Sequence, residues 1–333
     1  MKTQTRRNIV LGGVALAGAS VARPSFGQQG QELSIGLPST SLGAALPRLA
    51  NEMGCFAKHG LAPKFVLLEN ASLATAALVS GSVQVSQGGP GELIFARAKG
   101  QKLVSIVTCY SGMAQSLVLS KEAAAKLGIA QTAPLAERLK GLQGLTIAAA
   151  SATSSPTVSF KAAASKLANV NIRYTYIQQA DMVTALQRGA VQGFIASAPY
   201  STFAIAKGSG VSWVSGPARE LPEQFVPANS SILLSTEEFC QKSPDVVRRA
   251  ISASTDFARI VRDNPGEVKN VAYRLYPSLD REVVDLFFDT EHQALTGTPP
   301  TVNEMQREIS FIRDSGAPLP NADKLEARSM VFV

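Results

Sequence analysis

Two stretches of this chain nearly repeat each other. "AALVSGSVQVSQGGPGELIFARAKG" occupies residues 76–100, and "TALQRGAVQGFIASAPYSTFAIAKG" occupies residues 184–208. At an offset of 108 positions, Ala77 falls on Ala185, Leu78 on Leu186, Gly81 on Gly189, Val83 on Val191 and Gln84 on Gln192, with no gap. Ala96 then meets Ala204, and Ala98-Lys99-Gly100 meets Ala206-Lys207-Gly208. Solenoid repeats recur within about 20–50 residues, so this spacing describes two large halves built alike. A length of 333 residues suits that arrangement, because a single core seldom grows past roughly 250–300 residues. With 45% hydrophobic and 17% charged residues, the chain has enough apolar surface to fold.

The net charge of +7 is concentrated at the start of the chain. Lys2, Arg6, Arg7 and Arg23 lie in the first 27 residues, which hold no acid; without them, 28 basic side chains face 25 acidic ones. No basic run or nucleic-acid motif occurs elsewhere, so a nucleic-acid partner is not expected. In the same segment "TRRNIVL" sets an arginine pair before a short apolar stretch, residues 9–19, and small Ser25 and Gly27 follow. This resembles a twin-arginine signal, with residues 1–27 as the signal peptide and a soluble periplasmic protein as the product. An ordinary secretory signal would lead to the same compartment. No later stretch is apolar for the roughly 20 residues that a membrane span needs. Cys55, Cys109 and Cys240 are too far apart to suggest a metal site, and read as separate buried thiols.

From Glu32 onward the pattern alternates. "ELSIGLPS", "PKFVLLEN", "VQVSQGG" and "KLVSIVTC" read as strands, and helical segments separate them. The second half repeats the rhythm with "LTIAAASATSS", "IRYTYIQ" and "GFIASA". Leu33 and Ile35 match Leu145 and Ile147 at an offset of 112. The alternation predicts an α/β protein with a parallel sheet in each half. From Pro244 the sequence is helical, without a third copy. Open parallel sheets bind ligands outside the carboxyl ends of their strands. Two facing halves would therefore form a cleft able to close on a small molecule.

"EMGCFAKHGL", "AALVSGSVQVSQGG", "KLVSIVTCYSGMAQSLVLSKE", "ERLKGLQGLTIAAASATSS" and "ALQRGAVQGFIASAPYSTFA" follow in that order. Together they resemble the solute-binding components of nitrate, sulfonate and taurine ABC importers, a family that includes pyrimidine-precursor binders. The resemblance covers roughly residues 33–235. It departs where the family's glycine-led motif ends in aspartate: here Gln84 and Gln192 stand instead. The resemblance implies a type II periplasmic-binding-protein fold of two similar lobes joined by a two-segment hinge. Lobe one would comprise residues 32–110 and 229–333, and lobe two residues 111–228. The partners it implies are a small-molecule solute and the ABC permease and ATPase of the inner membrane, with the protein acting as a monomer.

Strand ends supply the candidate ligand residues. Lobe one offers Ser39, Thr40, Ser41, Gln87, Gly88, Gly89 and Tyr110; lobe two offers Ser151, Thr153, Ser154, Ser155, Gln179, Ser197 and Tyr200, with Gln178 beside them. Both hydroxyl runs precede helices, whose free amides and dipole favour an anion. The same residues also serve as plain helix caps. Gly88 and Gly89 suit either close ligand approach or a tight turn, and the tyrosines either stacking or covering the hinge. The expected solute is small and organic, anionic or sulfonate-like. Enzymes occur on the same fold, so catalysis is the alternative, as is a sensor that signals to a receptor. A nucleophile needs a base beside it. Cys109 has none predicted, and His59 and His292 fall away from the strand ends, so no catalytic residue, cofactor or metal site is expected.

Overall fold

A computed structural model describes residues 30–38, 41–68, 70–152, 154–315 and 318–332. The expected signal, residues 1–27, lies outside the described residues, as do Ser39, Thr40 and Thr153. The first sheet contains β1 (Gln31–Leu37), β2 (Leu61–Leu67), β3 (Val85–Gly88), β4 (Leu103–Ser111) and β10 (Asn229–Thr236). Its helices begin with α1 (Leu46–Glu52), α2 (Cys55–Lys58), α3 (Ala71–Val79) and α4 (Pro90–Ala98). The second sheet contains β5 (Ser116–Ser120), β6 (Thr146–Ala149), β7 (Arg173–Tyr176), β8 (Gly193–Ala196) and β9 (Gly210–Ser215). With it run α5 (Lys121–Leu127), α6 (Leu135–Lys140), α7 (Ser155–Ala168), α8 (Gln179–Gln187) and α9 (Tyr200–Ala206). The tail adds α10 (Glu237–Lys242), α11 (Pro244–Asp263), α12 (Pro265–Leu275), α13 (Arg281–Glu291) and α14 (Val302–Asp314).

The internal repeat is the fold's ground plan. Moved by 108 positions, α3 and β3 land on α8 and β8 residue for residue. Gly81 and Gly189 both have positive φ, 77° and 71°, a conformation that a side chain disfavours. Each closes its helix and turns the chain into the next strand. The glutamines at these two positions both act as acceptors. Gln84 Oε1 accepts the Ser34 N–H at 2.8 Å, and Gln192 Oε1 accepts the Thr146 N–H at 3.0 Å. An amide oxygen thus joins β1 to the turn before β3, and β6 to the turn before β8, and no charge is needed.

Both sheets are mixed, not parallel throughout. Their orders are β2-β1-β3-β10-β4 and β7-β6-β8-β5-β9. β1 pairs in parallel with β2 and β3, and β6 with β7 and β8. β10 and β5 run antiparallel to both of their neighbours. The reason is connectivity: each of these strands has just crossed from the other lobe and enters its sheet from the cleft side. The crossings are tied together where they pass. Gly112 N–H donates to Ala228 O at 2.6 Å, and the Ser230 hydroxyl donates to Gly112 O at 2.7 Å while accepting from Ala114 N–H at 2.9 Å. A Cβ on Gly216 would lie 2.2 Å from Gln115 O, so only glycine fits beside the first crossing.

Each sheet has its own core. Leu33, Ile35, Val107 and Leu233 pack with the tail helices around Phe257, Phe287 and Phe288, whereas Leu117, Ile147, Phe160 and Trp213 fill the second lobe. α11 buries Val246, Val247, Ala250, Ala253, Phe257 and Val261, spaced as one stripe of a helix facing a core. Cys55, Cys109 and Cys240 are free and buried. Among the described residues no helix is long and apolar enough to cross a membrane.

Candidate ligand-binding cleft

β3 ends in Gly88, and Gly89 and Pro90 then start α4; β6 ends in Ala149, and Ser154 and Ser155 start α7. Both turns open on a cavity of about 810 Å³ between the lobes, within the span of roughly 300–1,000 Å³ typical of small-molecule sites. Lobe one builds most of it. α3 presents Ser72, Thr75, Ala76 and Val79; α4 presents Glu92, Phe95 and Ala96, with Lys99 just past its end; α14 presents Glu308, Phe311 and Ile312. The crossings add Gln115, Pro227, Asn229 and Ser230, and lobe two adds Ser154, Ser155 and Pro156.

The two helix starts differ electrically. Gly89 has no side chain to cap α4, so Glu92 reaches back and its carboxylate accepts the Gly89 N–H at 2.9 Å. That acid already sits on the positive end of the helix. On α7 the N-cap residue Ser154 makes no side-chain bond to the helix amides. Its hydroxyl instead donates to Ser151 O at 3.2 Å and lies 2.8 Å from Thr157 Oγ1.

Beside the return crossing, Glu308 is 2% exposed and accepts the Asn229 N–H at 2.6 Å. Burial pushes its carboxyl up to about 8, against the opposing pull of that hydrogen bond and of Arg307. Asn229 itself is 3% exposed, and its side-chain oxygen has no hydrogen-bond partner; neither has Thr75 Oγ1.

Of the residues expected from sequence, Gly89, Ser154 and Ser155 line the cavity. Gln87 is buried on β3, where its Nε2 donates to Ser231 Oγ at 2.9 Å, and Gly88 pairs with Ile232 beside it. Ser151 accepts from Ser154, and Ser41 opens a single 3-10 turn at Leu42–Ala44. Gln179 and Ser197 satisfy each other, with Ser197 N–H donating to Gln179 Oε1 at 3.3 Å. Gln178 is the N-cap residue of α8. Tyr200 heads α9 and packs on the Val118–Phe194 cluster of lobe two. Tyr110 departs from the expectation: its ring lies in the lobe-one core with no exposed surface, and its hydroxyl donates to Glu291 at 2.6 Å. A tyrosine at a strand end satisfies its polar tip inside the protein when a buried acid faces it.

The residues that sequence reasoning missed come from α3, α4, the crossings and α14. One of them left a trace. Met305, Glu308, Ile309 and Ile312 form the buried stripe of α14, and an acid in such a stripe is unusual. Cys109 is fully buried, and burial raises its thiol far above the usual range, which leaves it unreactive. His59 lies 3.0 Å from Asp256, and His292 Nδ1 lies 2.6 Å from Phe288 O.

The NMT1-like family model matches residues 29–275 of the chain. The chain belongs to the NMT1-like family. No curated protein matches it in sequence. Among solved structures, this NMT1-like chain is similar to the periplasmic aliphatic sulphonate-binding protein SsuA of Escherichia coli, at 17% identity and a TM-score of 0.69, covering 90% of this chain and 97% of that one. It is also similar to the alkanesulfonate-binding SsuA of Xanthomonas axonopodis pv. citri bound to MOPS, at 16% identity and a TM-score of 0.66, covering 91% and 99%. The nitrate-binding protein NrtA of Synechocystis PCC 6803 gives 13% identity and a TM-score of 0.64, covering 90% and 87%. The fold is that of the periplasmic binding proteins, type II. The NMT1-like match ends at residue 275, so α14, the helix carrying Glu308, follows the matched span.

Proposed function

We propose that this NMT1-like protein is an exported solute-binding protein. It captures a small, organic, anionic or sulfonate-like solute between its lobes and delivers it to the permease and ATPase of an ABC importer. Lobe one comprises residues 32–110 and 229–333, lobe two residues 111–228, and residues 1–27 direct export to the periplasm. The protein works as a monomer and has no catalytic step. The observation that carries this reading is the cavity of about 810 Å³ lined from both lobes and by both crossings. A ligand held there touches both sides of a hinge and stabilises the closed form. The solutes in the names of similar structures, sulfonates and nitrate, are in keeping with an anionic ligand.

The test is a thermal-shift screen of sulfonates, carboxylates, aromatic acids and pyrimidines, with mass spectrometry of whatever co-purifies. A specific ligand at a hundredfold excess over its Kd adds about 2.7 kcal/mol of stability. It should also contract the radius of gyration in solution scattering. A hit that leaves the scattering curve unchanged would count against hinge closure, and a screen without any hit would count against solute capture.

A further inference from the structure

The repeat provides an internal control for what the cavity can take. Moved by 108 positions, Leu73, Ala76 and Val79 of α3 fall on Asp181, Thr184 and Gln187 of α8. All six are exposed. α8 thus turns a polar face to solvent. In the whole of α3 only Ser72 and Thr75 are polar, and Val79 is 41% exposed. A helix that is apolar all round is normally covered on every side, so α3 has a face that the folded chain leaves bare. The contrast recurs one helix later. α13 packs on α9, whereas the cavity lies over Phe95 and Ala96 of its counterpart α4.

These bare faces form one continuous groove. α3 and α4 lie side by side, and both run from the cleft ends of their strands to the far ends. The cavity follows them throughout: Ser72 and Gly89 line it at the cleft, Val79 and Lys99 at the far end. From Gly89 to Lys99 that is about 15 Å, at roughly 1.5 Å per residue. Phe311 and Ile312 of α14 form the opposite wall, and at the inner end the groove meets Ser154, Ser155 and Pro156 of lobe two. An inorganic ion or a short acid would leave most of this apolar length unfilled. Lys99 is exposed at the outer end, where its charge stays in water and its methylenes can lie over an apolar chain.

We propose that the solute is a long-chain amphiphilic acid whose apolar chain lies in the groove over α4, between α3 and α14. Ala76, Val79, Phe95 and Phe311 hold the chain. The acid end stays in the interlobe cleft, so that one molecule touches both lobes. The proposal rests on the solute-binding reading and adds to it the length and apolar character of the ligand.

The probes are butyl, octyl and dodecyl chains, each as the carboxylate and as the sulfonate, measured by calorimetric titration. A fully buried methylene is worth about fourfold in affinity. With either head group, octyl should therefore bind at least about tenfold more tightly than butyl, and dodecyl no more weakly than octyl. Ala76→Thr with Val79→Gln gives α3 the exposed residues that α8 carries, and its folding is checked by a melting curve. It should cut the octyl-to-butyl ratio at least about threefold. A dodecanoate bearing a diazirine at its chain end tests the placement without any variant: it should label residues 72–101. Equal affinity along the series overturns the proposal, as does a ratio that the folded variant leaves unchanged, or label found in lobe two alone. If every chain is silent while methanesulfonate or nitrate binds, the ligand class falls and solute capture survives; silence there as well counts against both.

Discussion

Helices α4 and α9 come from the same repeated stretch and do different work. The start of α4 opens on the cavity, and Lys99, just past its end, lines the same wall. α9 instead packs on α13 of the lobe-one tail. Its counterpart lysine, Lys207, reaches across to Asp280 at 2.7 Å and Glu282 at 3.3 Å. The repeat determines the backbone of both helices, and the unrepeated tail determines which face remains free. α14 forms part of the cavity wall beside α4, while α13 covers α9. Lobe one thus lines most of the cavity, and lobe two adds one helix end.

The largest effect should come from separating the two cores. Trp213 is fully buried in lobe two, its Nε1 donating to Arg138 O at 3.0 Å. Trp213→Ala should cost about 3–5 kcal/mol and divide the calorimetric transition, with lobe two melting first. A single transition shifted as a whole would mean that the lobes unfold together.

The next difference is in pH dependence. Glu291 and Glu308, both on tail helices, are pushed up to about 8, chiefly by burial. Each is raised above its unfolded value near 4.5, so the folded state holds the proton more tightly. The associated stability is complete below about pH 4.5 and is lost as pH rises through about 8. The slope reaches about 1.4 kcal/mol per pH unit for each group. In urea titrations between pH 5 and 8, Glu291→Gln and Glu308→Gln should flatten this loss. Unchanged slopes would show that neither acid is held neutral.

A smaller effect is expected at the cavity. Ser154→Ala with Ser155→Ala should weaken ligand affinity about tenfold. The apo melting temperature should hardly change, since Ser154 makes no cap bond to α7. The reverse pattern, intact affinity with lower apo stability, would remove this helix end from the site. The smallest effect concerns the exposed lysine. Lys207→Met should barely move the melting temperature. It should widen the apo scattering envelope at low salt, a change that high salt erases. An unaltered envelope at low salt would separate Lys207 from the closing motion.

How far the sequence could be read depended on distance along the chain. The match of α3 and β3 with α8 and β8 was legible, because glycine closures and apolar spacing are local. The antiparallel strand in each sheet was not, since β10 joins β3 and β4 only after an intervening lobe. Gly89, Ser154 and Ser155 were legible as strand-to-helix turns. Thr75, Asn229 and Glu308 were hidden in a helix face, a crossing and the tail. Gln179 and Ser197 had the right residue types, but nothing local revealed that they satisfy each other.

The placement of β10 also bears on the order in which the molecule can be completed. A ribosome releases the second sheet in full once Ser215 has emerged, with β5 to β9 all present. At that moment the earlier sheet still lacks its fourth member in spatial order, between β3 and β4. Those two strands, made first, must wait with bare edges until Asn229–Thr236 arrives. Such edges readily pair with other chains. The half of the protein that is started first is therefore finished last, and the nascent chain is most vulnerable to aggregation while its second lobe is being synthesised.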